Sequence, residues 1–123
     1  MTGTNYGKAF FVVEGITKKG TRRSGKLGFP SANISCPASL PGGIYAGEVL
    51  WKGVAYPAAL YKGNGKSELE AHILDFSGDL YGEKLVMIAR EKVREEKIFP
   101  NDEALAAAVA QDIADIRKLC SQG

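Results

Sequence analysis

Cysteine is scarce in this 123-residue chain: there are two, Cys36 and Cys120, far apart and fitting no zinc-ligand spacing. A disulfide framework is thereby excluded, and the thiols read as small packing residues in a reduced, cytoplasmic protein. No apolar run approaches the roughly 20 residues of a spanning helix, so no membrane association is expected. The N-terminus, Met1 to Tyr6, lacks the basic-then-apolar order of a signal peptide. Charge of one sign is also missing. Sixteen Lys and Arg against 14 Asp and Glu leave a net +2, too little to require nucleic acid or an anionic surface as partner.

What is present is the core of one ordinary domain, residues 1–123, with 45% hydrophobic residues. The first two thirds alternate short apolar runs with Gly, Pro and polar turns, the pattern of a small barrel or sandwich. Strand-like runs are Ala9 to Val13, Gly43 to Trp51, Val54 to Tyr61, Glu68 to Phe76 and Lys84 to Val93. Lys52-Gly53 joins the second and third as a hairpin turn needing positive φ, and local links of this kind imply antiparallel order. After Pro100, Leu105, Val109, Ile113, Ile116 and Leu119 recur at helical spacing and predict a helix over about 102–119. Asn101 is placed to cap it, Asp102 and Glu103 suit its positive end, and Arg117 and Lys118 its negative end.

A basic stretch, Thr17 to Lys26, carries Lys18, Lys19, Arg22, Arg23 and Lys26 between glycines and can wrap phosphates. Gly20 to Lys26 nearly matches a phosphate loop, but Leu27 replaces the required hydroxyl and Gly28 and Pro30 preclude the following helix. Gly28-Phe29-Pro30-Ser31-Ala32-Asn33 is more informative. Ser31 and Asn33 are two residues apart, so in an extended segment they point the same way and offer two neutral oxygens to one spot. Such a pair suits a magnesium ion whose other ligands are phosphates and waters; an ordinary polar turn would also look like this.

This hexapeptide resembles the signature of the riboflavin kinase family, which usually has Thr at the position of Ser31. Glu70-Ala71-His72-Ile73-Leu74-Asp75-Phe76, followed by Gly78-Asp79-Leu80-Tyr81-Gly82, resembles the family's strand carrying the general base, and Val93 to Phe99 its segment leading into the terminal helix. The blocks come in family order and span about Phe10 to Leu119. The resemblance implies a six-stranded antiparallel Greek-key barrel over about 7–99 with a C-terminal helix packed outside; the sixth strand is not evident in the sequence.

It further implies Mg2+-dependent transfer of the ATP γ-phosphoryl group to riboflavin, with Ser31 and Asn33 on the metal and Glu70 as base. Nucleotide contacts are implied for Gly15, Gly25, Lys26, Gly28, Pro30, Ser31 and Asn33, and flavin contacts for Glu70, Tyr81, Arg94 and Glu96. His72 shares a strand face with Glu70 and reads as a structural hydrogen-bonder. Family relatives often carry a fused adenylyltransferase, for which 123 residues leave no room, so FMN and not FAD is the expected product; a monomer is expected. Departures are a longer 15–28 loop and a shorter 61–67 loop, where only Gly63 matches the usual Asn-Ile-Gly element. Two alternatives remain open: a flavin-binding module without catalysis, and an RNA-binding barrel using Lys18, Lys19, Arg22 and Arg23 near Phe10 and Phe11.

Overall fold

A computed structural model describes residues 9–18, 31–74, 76 and 80–122, the last three without their side chains. Six strands precede one helix: β1 Phe11–Ile16, β2 Ala32–Ser35, β3 Gly43–Trp51, β4 Val54–Lys62, β5 Glu68–Ile73, β6 Lys84–Arg94 and α1 Asp102–Gln122. They form one antiparallel sheet in the order β1-β6-β3-β4-β5-β2. The run β3-β4-β5 is a meander and β2 returns beside β5, which is the Greek-key arrangement. Just past β1, Lys18 bridges Asn33 of β2, its N–H donating to the Asn33 carbonyl at 2.8 Å, so the two edge strands meet and the sheet nearly closes into the expected barrel.

The β3–β4 hairpin turns on Lys52 (φ 51°) and Gly53 (φ 79°). Positive φ at both central residues matches the strand twist of a two-residue hairpin. The β3–β6 ladder shifts register between Ala46 and Gly47. There the Ile88 carbonyl oxygen approaches so closely that a Cβ on Gly47 would collide with it.

Alternation along the strands builds two cores. Ile34, Tyr45, Val49, Leu60, Leu69, Leu85 and Met87 fill the barrel, with Cys36 buried among them as a packing residue; burial pushes its thiol pKa up. Ile44, Ala46, Ala59, Tyr61 and Leu74 point outward, where Val109 and Ile116 of α1 cover them. Asn101 caps α1 by accepting the Ala104 N–H at 2.8 Å. The helix runs on to Gln122, so Arg117 and Lys118 sit before its final turn instead of in it.

Several elements differ from the sequence pattern: β4 and β6 each run one residue further, to Lys62 and Arg94. β1 begins two residues later and continues through Glu14-Gly15 to Ile16, because Glu14 reaches outward to Lys84 at 2.7 Å and Gly15 permits close approach to Ile34, whose Cβ would lie 3.2 Å from a Cβ there. β5 ends at Ile73, the Leu74 N–H turning to the Pro57 carbonyl at 2.9 Å. The unseen sixth strand is β2, four residues within and after the Gly28–Asn33 hexapeptide, with Ile34 its only large apolar side chain.

Candidate active site

The pairing of β2 with β5 sets Asn33 directly opposite Glu70, and the pairing of β4 with β5 sets Tyr61 opposite Glu70 from the other side. Directly paired residues project from the same face of a sheet. Asn33, Glu70 and Tyr61 therefore form one row across three strands, on the outer face that also carries α1 further along. Period-two alternation adds His72 to that face beside Glu70. All four are buried: Asn33 is 2% exposed, Glu70 1%, His72 3% and Tyr61 2%.

The electrostatics of this row are unusual for a strand buried on both sides. Among the described residues, Oδ1 of Asn33 is buried without a hydrogen-bond partner, an expensive state for an acceptor in the absence of a ligand. His72 Nε2 lies 3.9 Å from Glu70 Oε1, and the Tyr61 ring meets the His72 ring edge-on with centroids 4.9 Å apart. Tyr61 O–H donates to Asp112 Oδ2 on α1 at 3.4 Å. Burial first, and then the Asp112 charge, drive the Tyr61 phenol pKa far upward. Arg94 grips both oxygens of Asp112, through Nε and Nη2, at 2.8 Å each; that hydrogen bonding raises the guanidinium pKa.

Of the residues singled out in the sequence, Ser31 stands immediately before β2, half-buried, two residues from Asn33. Gly15 sits at the β1–β2 seam against Ile34. Arg94 joins the same face through Asp112, and its Nη1 also donates to the Glu95 carbonyl at 3.1 Å. Glu96 lies elsewhere: its Oε1 accepts the Asn64 N–H at 2.8 Å, strapping the 95–99 segment to the turn after β4. Tyr81, 63% exposed, occupies the turn before β6. That turn is stapled to Thr17, which accepts the Gly82 N–H at 3.2 Å and donates its own N–H to the Glu83 carbonyl at 2.9 Å. Gly25, Lys26, Gly28 and Pro30, with most of the basic stretch, lie outside the described residues. Phe10 and Phe11, the aromatics of the RNA alternative, pack on Tyr45 with centroids 5.3 and 5.0 Å away.

Sequence reasoning missed Tyr61, Asp112 and Lys62. Asp112 had a signal: it falls three residues after Val109 and four before Ile116, an acid on the apolar stripe of its helix. Lys62 had none. It closes the end of β4 with its ammonium donating to the Gly63 carbonyl at 2.6 Å and the Ala38 carbonyl at 3.4 Å.

Comparison with known proteins finds relatives over most of the chain. The chain is 34% identical over 120 residues to the bifunctional riboflavin kinase/FMN adenylyltransferase of Pseudomonas fluorescens, covering 90% of this chain and 39% of that one. It is 32% identical over 115 residues to the protein of the same name from Mycoplasma pneumoniae, covering 89% and 42%, and 30% identical to the RNA-binding riboflavin kinase RibR of Bacillus subtilis, covering 87% and 50%. It thus spans half or less of the length of these curated relatives. A crystal structure described as a macrolide-efflux protein from Streptococcus pneumoniae superposes with a TM-score of 0.70 at 22% identity, covering 86% of this chain and 36% of that one, and speaks for the fold alone. The riboflavin kinase family profile, Flavokinase, matches residues 8–120, and with these identities it shows that the chain belongs to the riboflavin kinase family.

Proposed function

We propose that this chain phosphorylates riboflavin, transferring the γ-phosphoryl group of ATP to the ribityl 5′-hydroxyl to give FMN and ADP. The observation that carries this reading is the pairing of buried Asn33 and Glu70 across the β2–β5 ladder. A neutral oxygen and a carboxylate side by side are what an in-line transfer needs where nucleotide and hydroxyl meet.

Glu70 is the base in this reading. Its carboxylate takes the 5′-hydroxyl proton as that oxygen bonds to the γ-phosphorus, and the bond from phosphorus to the β–γ bridging oxygen breaks to release ADP. The unpartnered Asn33 Oδ1 is a hard oxygen donor and fits Mg2+, with Ser31 as a second ligand and the nucleotide phosphates supplying others. Magnesium would offset phosphate charge and make the γ-phosphorus more electrophilic. Gly15, Gly25, Lys26, Gly28 and Pro30 complete the nucleotide side. Flavin contacts are proposed for Glu70, Tyr81, Arg94 and Glu96, of which Glu70 and Arg94 share the outer face of the row while Tyr81 and Glu96 lie in neighbouring segments. The donor edge of Arg94 is held by Asp112 and one face of its guanidinium lies over Phe99, which leaves its other face for a flavin.

The reading includes a single domain over residues 1–123, a cytoplasmic monomer, and no nucleic-acid partner. Among the described residues no helix is long and apolar enough to cross a membrane. FMN adenylylation, named for the bifunctional relatives, is not assigned to these residues.

The test is to incubate purified protein with riboflavin, ATP and magnesium and to separate the flavins. FMN should form, and Glu70→Gln should remove most turnover while keeping flavin binding. Bound riboflavin that is never phosphorylated by any nucleotide donor would replace the kinase with a flavin-binding module.

A further inference from the structure

We infer that His72 is a positioning residue for the Glu70 carboxylate, held in place by Tyr61 and by the Arg94–Asp112 pair of helix α1. This rests on the assignment of Glu70 as base and extends it to a chain of groups ending on the C-terminal helix.

The chain begins with register. Glu70 and His72 share a face of β5, opposite Tyr61 and Ala59 of β4. The small Ala59 side chain leaves the space over its own position to the His72 and Tyr61 rings, which meet at 84°. Tyr61 is fixed at its far end by Asp112, and Asp112 by the forked grip of Arg94 from the end of β6. The links run in order: Arg94 forks onto the Asp112 carboxylate, the carboxylate accepts from the phenol at 3.4 Å, the phenol ring packs edge-on against the imidazole, and the imidazole Nε2 lies 3.9 Å from Glu70 Oε1.

Helix docking alone does not require this. The Arg94–Asp112 pair and the apolar contacts of Val109 and Ile116 dock α1 without a histidine or a phenol hydroxyl. A row of buried polar groups is rarely the most stable filling of such a space; apolar residues of similar volume do as well or better. A base, by contrast, gains from being held in one orientation, since small displacements of a reacting group cost much rate.

The chain contains one histidine, so its imidazole NMR signals belong to His72 without further assignment. In the ligand-free protein, Tyr61→Phe, Asp112→Asn and Glu70→Gln should each move those signals. In the kinase assay His72→Ala should lower kcat about tenfold with both KM values within about twofold, and His72→Gln should restore part of the loss. Tyr61→Phe, which removes one hydroxyl and keeps the packing, should lower kcat severalfold and serves if His72→Ala does not fold. Unmoved His72 signals in both Tyr61→Phe and Asp112→Asn, or a folded His72 or Tyr61 variant with unchanged kcat, would overturn the inference. If Glu70→Gln itself keeps full turnover, the base assignment fails instead, and the NMR comparison still decides whether the chain of contacts exists.

Discussion

Asn33 and Glu70 are cross-strand neighbours, 37 residues apart in the chain and directly paired between β2 and β5. The strand that brings them together is the shortest in the sheet, and it is held from its other side by the Lys18 bridge. Barrel closure and the proposed magnesium site therefore meet at one residue: the Asn33 main chain closes the seam, while its side-chain oxygen is buried with no hydrogen-bond partner among the described residues.

Asn33→Ala should consequently separate function from stability. FMN formation should fall at least tenfold and the magnesium requirement should rise, because the proposed ligand oxygen is lost. The unfolding free energy should change by no more than about 1 kcal/mol, since the oxygen removed makes no hydrogen bond among the described residues. Urea titrations beside a magnesium series check both; a large stability loss with unchanged magnesium dependence would show that Asn33 is purely structural.

Gly47 offers a test of the barrel itself. At the β3–β6 register shift any Cβ would run into the Ile88 carbonyl oxygen and press within 3.1 Å of the Leu60 side chain. Backbone cannot give way there as a flexible side chain would. Gly47→Ala should destabilise the protein by about 2–3 kcal/mol, visible as a lower urea midpoint with an unchanged slope. Wild-type stability in this variant would mean that the strands separate freely at the shift.

Much of the architecture was legible because the relevant patterns are local. The Lys52-Gly53 turn, the strands flanking it and the apolar stripe of α1 depend on neighbours within a few positions. β2 was not legible: with only Ile34 as a large apolar residue, it is a strand by virtue of pairing with β5 and Lys18, which are far away in sequence. The same limit applied to the site. Ser31, Asn33 and Glu70 were singled out through their resemblance to a family, whereas the contact of Tyr61 with Asp112 joins β4 to α1 across 51 residues, a pairing that no local pattern encodes. Arg94 was singled out for a flavin contact, but its bidentate partner is 18 residues away on the helix, beyond the reach of a local pattern.

Helix α1 starts at a cap whose worth can be measured. Asn101 Oδ1 takes the Ala104 N–H, and the Asn101 carbonyl accepts the Leu105 N–H at 3.1 Å. Asn101→Ala should cost about 1 kcal/mol, and Asn101→Asp should recover it by providing the same acceptor with a charge that suits the helix N-terminus. Thermal or urea unfolding of the three proteins decides this; an alanine variant as stable as wild type would show that packing alone sets where the helix begins.

Tyr61 makes stability depend on alkaline pH in a defined sense. Burial and the neighbouring Asp112 charge keep its phenol protonated in the fold far beyond the point at which an unfolded tyrosine ionises, about pH 10. Between the two values the unfolded chain has released a proton that the native protein retains. Stability is therefore full below about pH 10 and falls as pH rises above it, by at most about 1.4 kcal/mol per pH unit for this one group. Denaturant midpoints measured from pH 8 to 11.5 should fall more steeply for wild type than for Tyr61→Phe, which has no phenol to ionise. Tyrosinate absorbance should show one ring fewer titrating in the variant, the missing ring being the one that in wild type ionises only as the protein unfolds. Parallel curves for the two proteins above pH 10 would place the Tyr61 hydroxyl in contact with solvent and detach it from Asp112.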